Sequence, residues 1–304
     1  MKLTEHTPVL LEEAIDGLSI KADGTYVDCT FGRGGHAKRI LRCLGSEGRL
    51  LALDRDPAAL EAARAITDAR FFFSRTAFSK LPELLAAHHV EKIEGALLDL
   101  GVSSPQLDDP ERGFSFRHDG PLDMRMDPQA GLSVREWLQQ ASEKEIEEVL
   151  RNYGEERFAK KISRAVVRAR IRAPIERTGE LAAIIAAAVP TRERDQDPAT
   201  RSFQGLRIFI NQELEELSLV LPQVRDALAP SGRVVVISFH SLEDRMVKKF
   251  LREQSQLPEK LPVKEADVAP PVMREIARVR PAAAEVARNP RAKSAVMRVG
   301  EKRA

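Results

Sequence analysis

The chain has 304 residues, 43% hydrophobic and 31% charged, enough for about two domains of roughly 150 residues each and far from the composition of disordered chains. Its 48 basic and 46 acidic side chains leave a net charge of +2 and a pI of about 8.5, short of the ~9 expected of a basic nucleic-acid-binding domain, so any nucleic-acid surface is a local patch. The longest uncharged apolar run, Leu181 to Pro190, is half of a ~20-residue membrane helix; the first residues lead into no secretory stretch, and Cys29 and Cys43 without a CxxC pair fit a reducing cytoplasm without structural zinc.

Residues 7–18 read as an amphipathic helix, with Thr7 as N-cap, Pro8 at its first position and Leu10, Ala14 and Leu18 on one face. From Thr25 short apolar runs alternate with helical stretches. Thr25–Thr30, Arg49–Asp54, Ala69–Ser74 and Gly95–Leu100 read as strands, a rhythm that implies a parallel sheet with helices on both faces. It breaks after Asp99. Residues 101–131 form an irregular stretch rich in Pro, Gly and Asp, longer than the ~12–15 residues at which structureless loops become uncommon.

Four helical segments follow. Ser133 with Glu136 and Ser142 with Glu145 are capping boxes, each opening an apolar stripe, with Gly154 ending the second helix. A third helix runs from about Glu156 to Arg172, and a fourth from Thr178 to Pro190. One further helix then carries Leu206, Ile210, Leu214, Leu217 and Leu221, and after the turn Pro230-Ser231-Gly232 the run Arg233–Phe239 reads as a buried parallel strand. The proline-rich last 50 residues read as loops, with Val272–Val279 and Ala295–Val299 able to pair as a hairpin. The expected organisation is one α/β domain in two pieces, 1–107 and 205–304, interrupted by a helical domain and its entry loop, 108–204.

The first strand passes directly into Phe31-Gly32-Arg33-Gly34-Gly35-His36. Glycines in such a turn let the backbone approach a ligand, and free amides at the following helix start hold polar groups. Asp54 ends the second strand twenty residues after Gly34, where an acid grips a ribose. Gly32-x-Gly34-x-x-Ala37 also satisfies a loose dinucleotide fingerprint, so the nucleoside stays open, although Asp28 beside the glycines suits a sulfonium tail better than a pyrophosphate. Ligands of open α/β sheets bind at the carboxyl ends of the strands, so Asp28, Asp54, Asp99 and Ser238 are expected to converge on one crevice.

Several motifs in order now carry a resemblance: His6-x-Pro8-Val9-Leu10-Leu11, Asp28-x-Thr30-Phe31-Gly32-Arg33-Gly34-Gly35-His36, Asp54-Arg55-Asp56-Pro57 and Asp99-Leu100-Gly101-Val102-Ser103-Ser104-Pro105-Gln106-Leu107-Asp108. Arg112-Gly113-Phe114-Ser115-Phe116, Gly120-Pro121-Leu122-Asp123-Met124-Arg125-Met126 and Ser238-Phe239-His240-Ser241-Leu242-Glu243-Asp244-Arg245 continue it. With these motifs the chain resembles the MraW, or RsmH, family of bacterial ribosomal small-subunit RNA (cytosine-N4) methyltransferases over nearly its whole length. The resemblance implies a class I S-adenosylmethionine-dependent methyltransferase, a Rossmann-like doubly wound sheet with an inserted small all-helical domain. It implies cofactor contacts at Gly34, Gly35 and His36, at Asp54 for the ribose, at Phe78 near the adenine, and at Asp99 and Gln106 beyond the fourth strand. Read without it, Phe78 is a core aromatic anchoring the next helix.

An exocyclic cytosine amine is a weak nucleophile, so acceptors must fix it in line with the methyl donor, ~3–3.5 Å away. Asp99, or carbonyls near Ser103–Pro105, are the candidates for this, and His240 could accept the proton or serve as a structural histidine. Asp108, Asp109, Asp119, Asp123 and Asp127 read as a solvated loop paired with Arg112, Arg117 and Arg125 rather than a magnesium site, so no metal is expected. Residues 151–177 and 274–304 each carry nine basic and three acidic side chains, net +6. These two patches suit an anionic partner, small-subunit ribosomal RNA by the resemblance, with the helical insert as its clamp and the target base unstacked. A nicotinamide-dependent oxidoreductase and a non-catalytic RNA-binding assembly factor are the competing readings, and the oligomeric state is left open.

Overall fold

The computed structural model describes residues 8–190, 197–255 and 272–304. In chain order the elements are α1 (Leu11–Leu18), β1 (Thr25–Asp28), α2 (Gly35–Cys43), β2 (Arg49–Asp54), α3 (Pro57–Arg64), β3 (Phe71–Arg75), α4 (Leu81–Ala87), β4 (Ile93–Asp99), α5 (Ser104–Asp108), α6 (Val134–Gln140), α7 (Glu143–Asn152), α8 (Ala159–Arg172), α9 (Thr178–Ala188), α10 (Thr200–Ile210), α11 (Glu213–Ala227), β5 (Leu228–Ser238), α12 (Ser241–Ser255), β6 (Met273–Val279), α13 (Ala283–Arg288) and β7 (Val296–Lys302). They form two compact units: one takes the chain up to Gly101 and again from Leu214, the other is Val102–Glu213.

The first unit holds a seven-stranded sheet in the order β3-β2-β1-β4-β5-β7-β6. β1 to β5 are parallel, and β7 runs antiparallel between β5 and β6. This is the class I methyltransferase sheet. Successive strand residues point to opposite faces, and here both faces are covered. Tyr26, Leu50, Ala52, Leu97, Val235 and Ile237 pack with α1, α2 and α3 on one side. Val27, Leu51, Leu53, Ala96, Leu98, Val234 and Val236 pack with α4, α11 and α12 on the other. Burial on both faces explains strands that read as continuous apolar runs. The expected terminal hairpin is present as β6 and β7, paired from Met273↔Lys302 to Val279↔Met297 with a register shift between Glu275 and Ala277.

Local departures have physical causes. α1 opens at Leu11 rather than at Pro8, because Leu10 enters it at φ +53, in the left-handed region; Thr7 lies outside the described residues. The turn Pro230-Ser231-Gly232 is a bulge inside β5, where the pairing with β4 jumps from Ile93↔Leu228 to Gly95↔Arg233. The prolines at 258, 262, 270 and 271 lie outside the described residues.

The second unit is helical. α6 and α7 begin at the expected capping boxes, with Ser133 N donating to Glu136 at 2.8 Å and Ser142 N to Glu145 at 2.7 Å. Trp137, Leu138, Ile146, Leu150, Ile162, Val166 and Leu181 share one core. α7 closes at Asn152 with Tyr153 as cap, ahead of Gly154. The single helix expected through Leu206 and Leu221 is two, α10 and α11, because Gln212 turns left-handed at φ +52. Ala199, Phe203 and Leu206 of the α10 region belong to the helical core, so the units part at Gly101 and Glu213 rather than at 107 and 204.

Candidate active site

The carboxyl ends of β1, β2, β4 and β5 bring together residues far apart in sequence, with Asp28 level with Ala52 and Leu97, and Asp99 level with Ile237. Between β1 and α2 the chain turns through Gly32 at φ +55 and Gly34 at φ +76. Only glycine serves at position 34, where a Cβ would also lie 2.7 Å from the Phe31 ring. At Gly35 a Cβ would stand 2.3 Å from Pro8.

Each acid has a defined role in holding this turn. Asp54 accepts from Gly32 N at 2.7 Å and from Asp56 N at 2.9 Å, so the acid expected to grip a ribose also braces the glycine turn, with lone pairs left over on both oxygens. Asp28 Oδ1 accepts from Thr30 N at 3.1 Å, and the Thr30 hydroxyl accepts from Asp99 N at 2.6 Å. The imidazole of His36 bonds the Val9 carbonyl, and its Nδ1 lies 3.7 Å from Asp99 Oδ2. Asp28 Oδ2, Asp99 Oδ1 and His36 Nε2 are buried without a hydrogen-bond partner among the described residues.

Orphaned polar atoms at one sheet end are costly unless a ligand meets them. Burial pushes Asp28 up to about 7, aided by the charge of Asp54, despite the opposing hydrogen bond from Thr30. Burial likewise raises Asp54 against its two amide bonds. It raises Asp99 well above the usual carboxylate range, helped by Asp28 and Glu243. Burial lowers His36 to about 4, so its ring is neutral at physiological pH. Burial disfavours the charged form of each of these acids, and a cationic ligand beside them would favour it.

Among the other expected residues, Phe78 opens a short 3-10 turn after β3 and packs, half-buried, on the second core cluster. Gln106 lies in the helical unit, buried in α5, where its Oε1 accepts from Ser103 N at 2.8 Å. His240 is the N-cap of α12: its Nδ1 accepts from Glu243 N at 3.4 Å, while Glu243 Oε2 takes Phe239 N at 2.8 Å and His240 N at 3.3 Å. The His240 Nε2 lies 3.1 Å from Glu243 Oε1 but is buried without a hydrogen-bond partner among the described residues. Glu243, 2% exposed, was missed from the sequence; its place three residues after His240 is the capping-box signal. In the loop of the helical unit, Asp123 pairs with Arg125 at 2.7 Å as expected, and Asp119 pairs instead with Arg177.

The profile of the MraW methylase family matches residues 3–303. The chain is 56% identical over 308 residues to ribosomal RNA small subunit methyltransferase H of Methylobacillus flagellatus, covering 100% of this chain and 96% of that one. It is 58% identical to the protein of the same name from an Azoarcus species, over 98% and 97% of the two chains.

Proposed function

Because the chain belongs to the MraW methylase family, we propose that it carries a methyl group from S-adenosylmethionine to the exocyclic N4 of a cytidine in the decoding region of bacterial small-subunit ribosomal RNA. Relatives named ribosomal RNA small subunit methyltransferase H support the acceptor, and the motif resemblance supports the atom methylated. The observation that carries the cofactor is the convergence of Asp28, Asp54 and Asp99 at the strand ends, with Asp28 Oδ2 and Asp99 Oδ1 buried and without a hydrogen-bond partner among the described residues. They favour a ligand with a sulfonium and an ammonium group over the pyrophosphate of a nicotinamide dinucleotide, whose negative charges they would repel.

When bound, S-adenosylmethionine supplies an electrophilic methyl group on sulfur. Gly34 and Gly35 give the backbone room beside it, Asp54 offers its remaining lone pairs to the ribose, and Phe78 is the proposed adenine contact; a role for Gln106, in the helical unit, rests on the motif resemblance alone. Asp99 is the proposed acceptor for the amine, since Oδ1 is unpartnered and its raised protonation range lets it hold a proton. His240 is proposed as a structural cap, because the ring lone pair on Nδ1 is already given to Glu243 N.

α8 supports RNA binding. Lys160, Lys161 and Arg168 are exposed, as is Arg157 just before the helix, while Ile162 and Val166 of α8 are buried, so its cations form a face rather than a scatter. Among the described residues no helix is long and apolar enough to cross a membrane, and a cytoplasmic site of action belongs to the proposal. The test is transfer of labelled methyl from S-adenosylmethionine to small subunits from a strain lacking the gene, followed by mass identification of the nucleoside. N4-methylated cytidine is expected; retained cofactor binding with no label in RNA points to the non-catalytic assembly factor.

A further inference from the structure

The second basic patch of the sequence, residues 274–304, resolves into a structural element of the sheet unit. β6 ends at Val279, level with Met297, and β7 begins at Val296, level with Ser238, the last residue of β5. The crossover between them, residues 280–295, therefore leaves and rejoins the sheet at the end where Asp28, Asp54 and Asp99 converge.

This crossover is anchored and one-sided. Ala292 and Ala295, 0% and 1% exposed, sit in the same core cluster as Val9 and Leu10. Asn289 Oδ1 accepts from Arg291 N at 3.2 Å to fix the turn after α13. The segment carries four cations, Arg280, Arg288, Arg291 and Lys293, and one acid, Glu285. Glu285 gives Oε1 to Leu10 N at 2.8 Å, so its charge is turned toward the body of the unit. Arg280, Arg288 and Lys293 are exposed and make no hydrogen bond or ion pair among the described residues. A solvated face interleaves the two signs; this one presents positive charge alone. None of the exposed large apolar side chains among the described residues lies in it, so it lacks the apolar face that an interfacial membrane segment uses.

We propose that the β6–β7 crossover is a phosphate-binding surface for the RNA substrate, built on the catalytic unit itself, in which Arg280, Arg288 and Lys293 engage backbone phosphates beside the target nucleotide. The identity of the partner rests on the RNA substrate proposed above. Three cations on a rigid support position a strand without reading its bases, a division of labour in which the strand-end residues meet the base and the crossover fixes the register.

The experiment is equilibrium binding of a labelled RNA of the small-subunit decoding region to the full chain across a range of salt concentrations. Each phosphate left without its cation lowers the logarithmic salt slope by ~0.7–0.9. The triple variant Arg280→Gln/Arg288→Gln/Lys293→Gln is expected to lose about two units of slope and to bind roughly tenfold more weakly at moderate salt. The matched control is Lys21→Gln/Lys38→Gln/Arg42→Gln. It removes equal charge from exposed positions, where Lys21 precedes β1 and Lys38 and Arg42 line a cleft with Thr67, Asp68 and Arg70, ahead of β3. The control should keep the wild-type slope. A crossover variant with the wild-type slope, or a control whose slope falls as far, overturns the proposal, and so does wild-type protein that fails to bind this RNA. Single variants, each expected to lower the slope by ~0.7–0.9, repeat the test should the triple variant fold poorly. Binding is read without methyl transfer, so failure of the proposed reaction leaves a distinct result: RNA bound with the predicted slopes and no methylated cytidine.

Discussion

The amide of Leu10 donates to Oε1 of Glu285 at 2.8 Å, joining residues 275 positions apart in sequence. Leu10 stands at φ +53 at the entry to α1, and the carbonyl just before it, that of Val9, holds the His36 ring beside Asp99. Glu285 is thus two steps from the strand-end cluster. Glu285→Ala should cost about 1–3 kcal/mol, the range for leaving a buried donor, here the Leu10 amide, without its acceptor, and should weaken S-adenosylmethionine binding by freeing the His36 ring. Glu285→Gln keeps an acceptor and should recover most of both. Thermal melting and calorimetric titration of the two variants check this; equal losses in Ala and Gln would contradict it.

Asp28 gives a pH dependence with a definite sign. Its folded-state pKa, about 7, lies above the ordinary carboxyl value of 3.8, so the folded chain binds the extra proton and the stabilisation is full below ~4 and lost as the pH rises through about 7. His36, lowered to about 4, runs the other way and costs stability as the pH falls below ~6.5. The clean observable is therefore a difference. The stability of the ligand-free protein relative to Asp28→Asn should fall by up to about 4 kcal/mol between pH 4 and 7. A cationic ligand favours ionised Asp28, so binding should release protons, and the preference for S-adenosylmethionine over the uncharged-sulfur product should grow across the same range. Denaturation curves and titrations at several pH values test both signs.

The sheet was legible because strands buried on both faces read as unbroken apolar runs, and Asp28, Asp54 and Asp99 fell at strand ends whatever the register. The break between α10 and α11 was not. Leu206, Ile210, Leu214 and Leu217 keep helical spacing straight through it, and what stops α10 is Asn211, which donates to the Met124 carbonyl and accepts from Met126 N, contacts 87 and 85 residues away. The bond from Leu10 to Glu285 is equally invisible to local pattern. At the site itself, the position of Asp54 pointed to a ligand but not to the Gly32 amide it already binds, since backbone partners of a side chain leave no mark in spacing. His240 was ambiguous because histidine lies outside the usual N-cap set, so the Glu243 that follows it was not read as half of a cap.

Arg298 is the most deeply placed cation of the β6–β7 hairpin, 4% exposed, with Nε 2.7 Å from Asp244 and Nη1 2.6 Å from Glu275. Removing it leaves two half-buried carboxylates facing each other across a vacated site. Arg298→Ala should destabilise the protein by about 3 kcal/mol, the low end of the range for breaking a buried pair. Arg298→Lys should recover only part, because a single ammonium cannot span both acids as the guanidinium fork does. A loss below ~1 kcal/mol for Arg298→Ala in denaturant unfolding, the scale of an exposed pair, would show that the acids find water instead.

His240 separates a cap from a base. Its Nδ1 lone pair is engaged by Glu243 N at 3.4 Å. While that bond holds, the lone pair is not free to take a proton from the amine. Asparagine is a good N-cap acceptor but no base, whereas alanine is neither. His240→Asn should therefore transfer methyl within about threefold of the wild-type rate at saturating RNA and cofactor, with little change in melting temperature. His240→Ala should lose about 1 kcal/mol of stability, the usual cost of a missing cap, and should be slowed through disorder of the turn at Phe239. Single-turnover rates at several pH values distinguish the roles. If Asn and Ala were both slowed by ~10²-fold or more, the scale of general base catalysis, and the titration of the wild-type rate vanished in each, His240 would be the proton acceptor and the cap incidental.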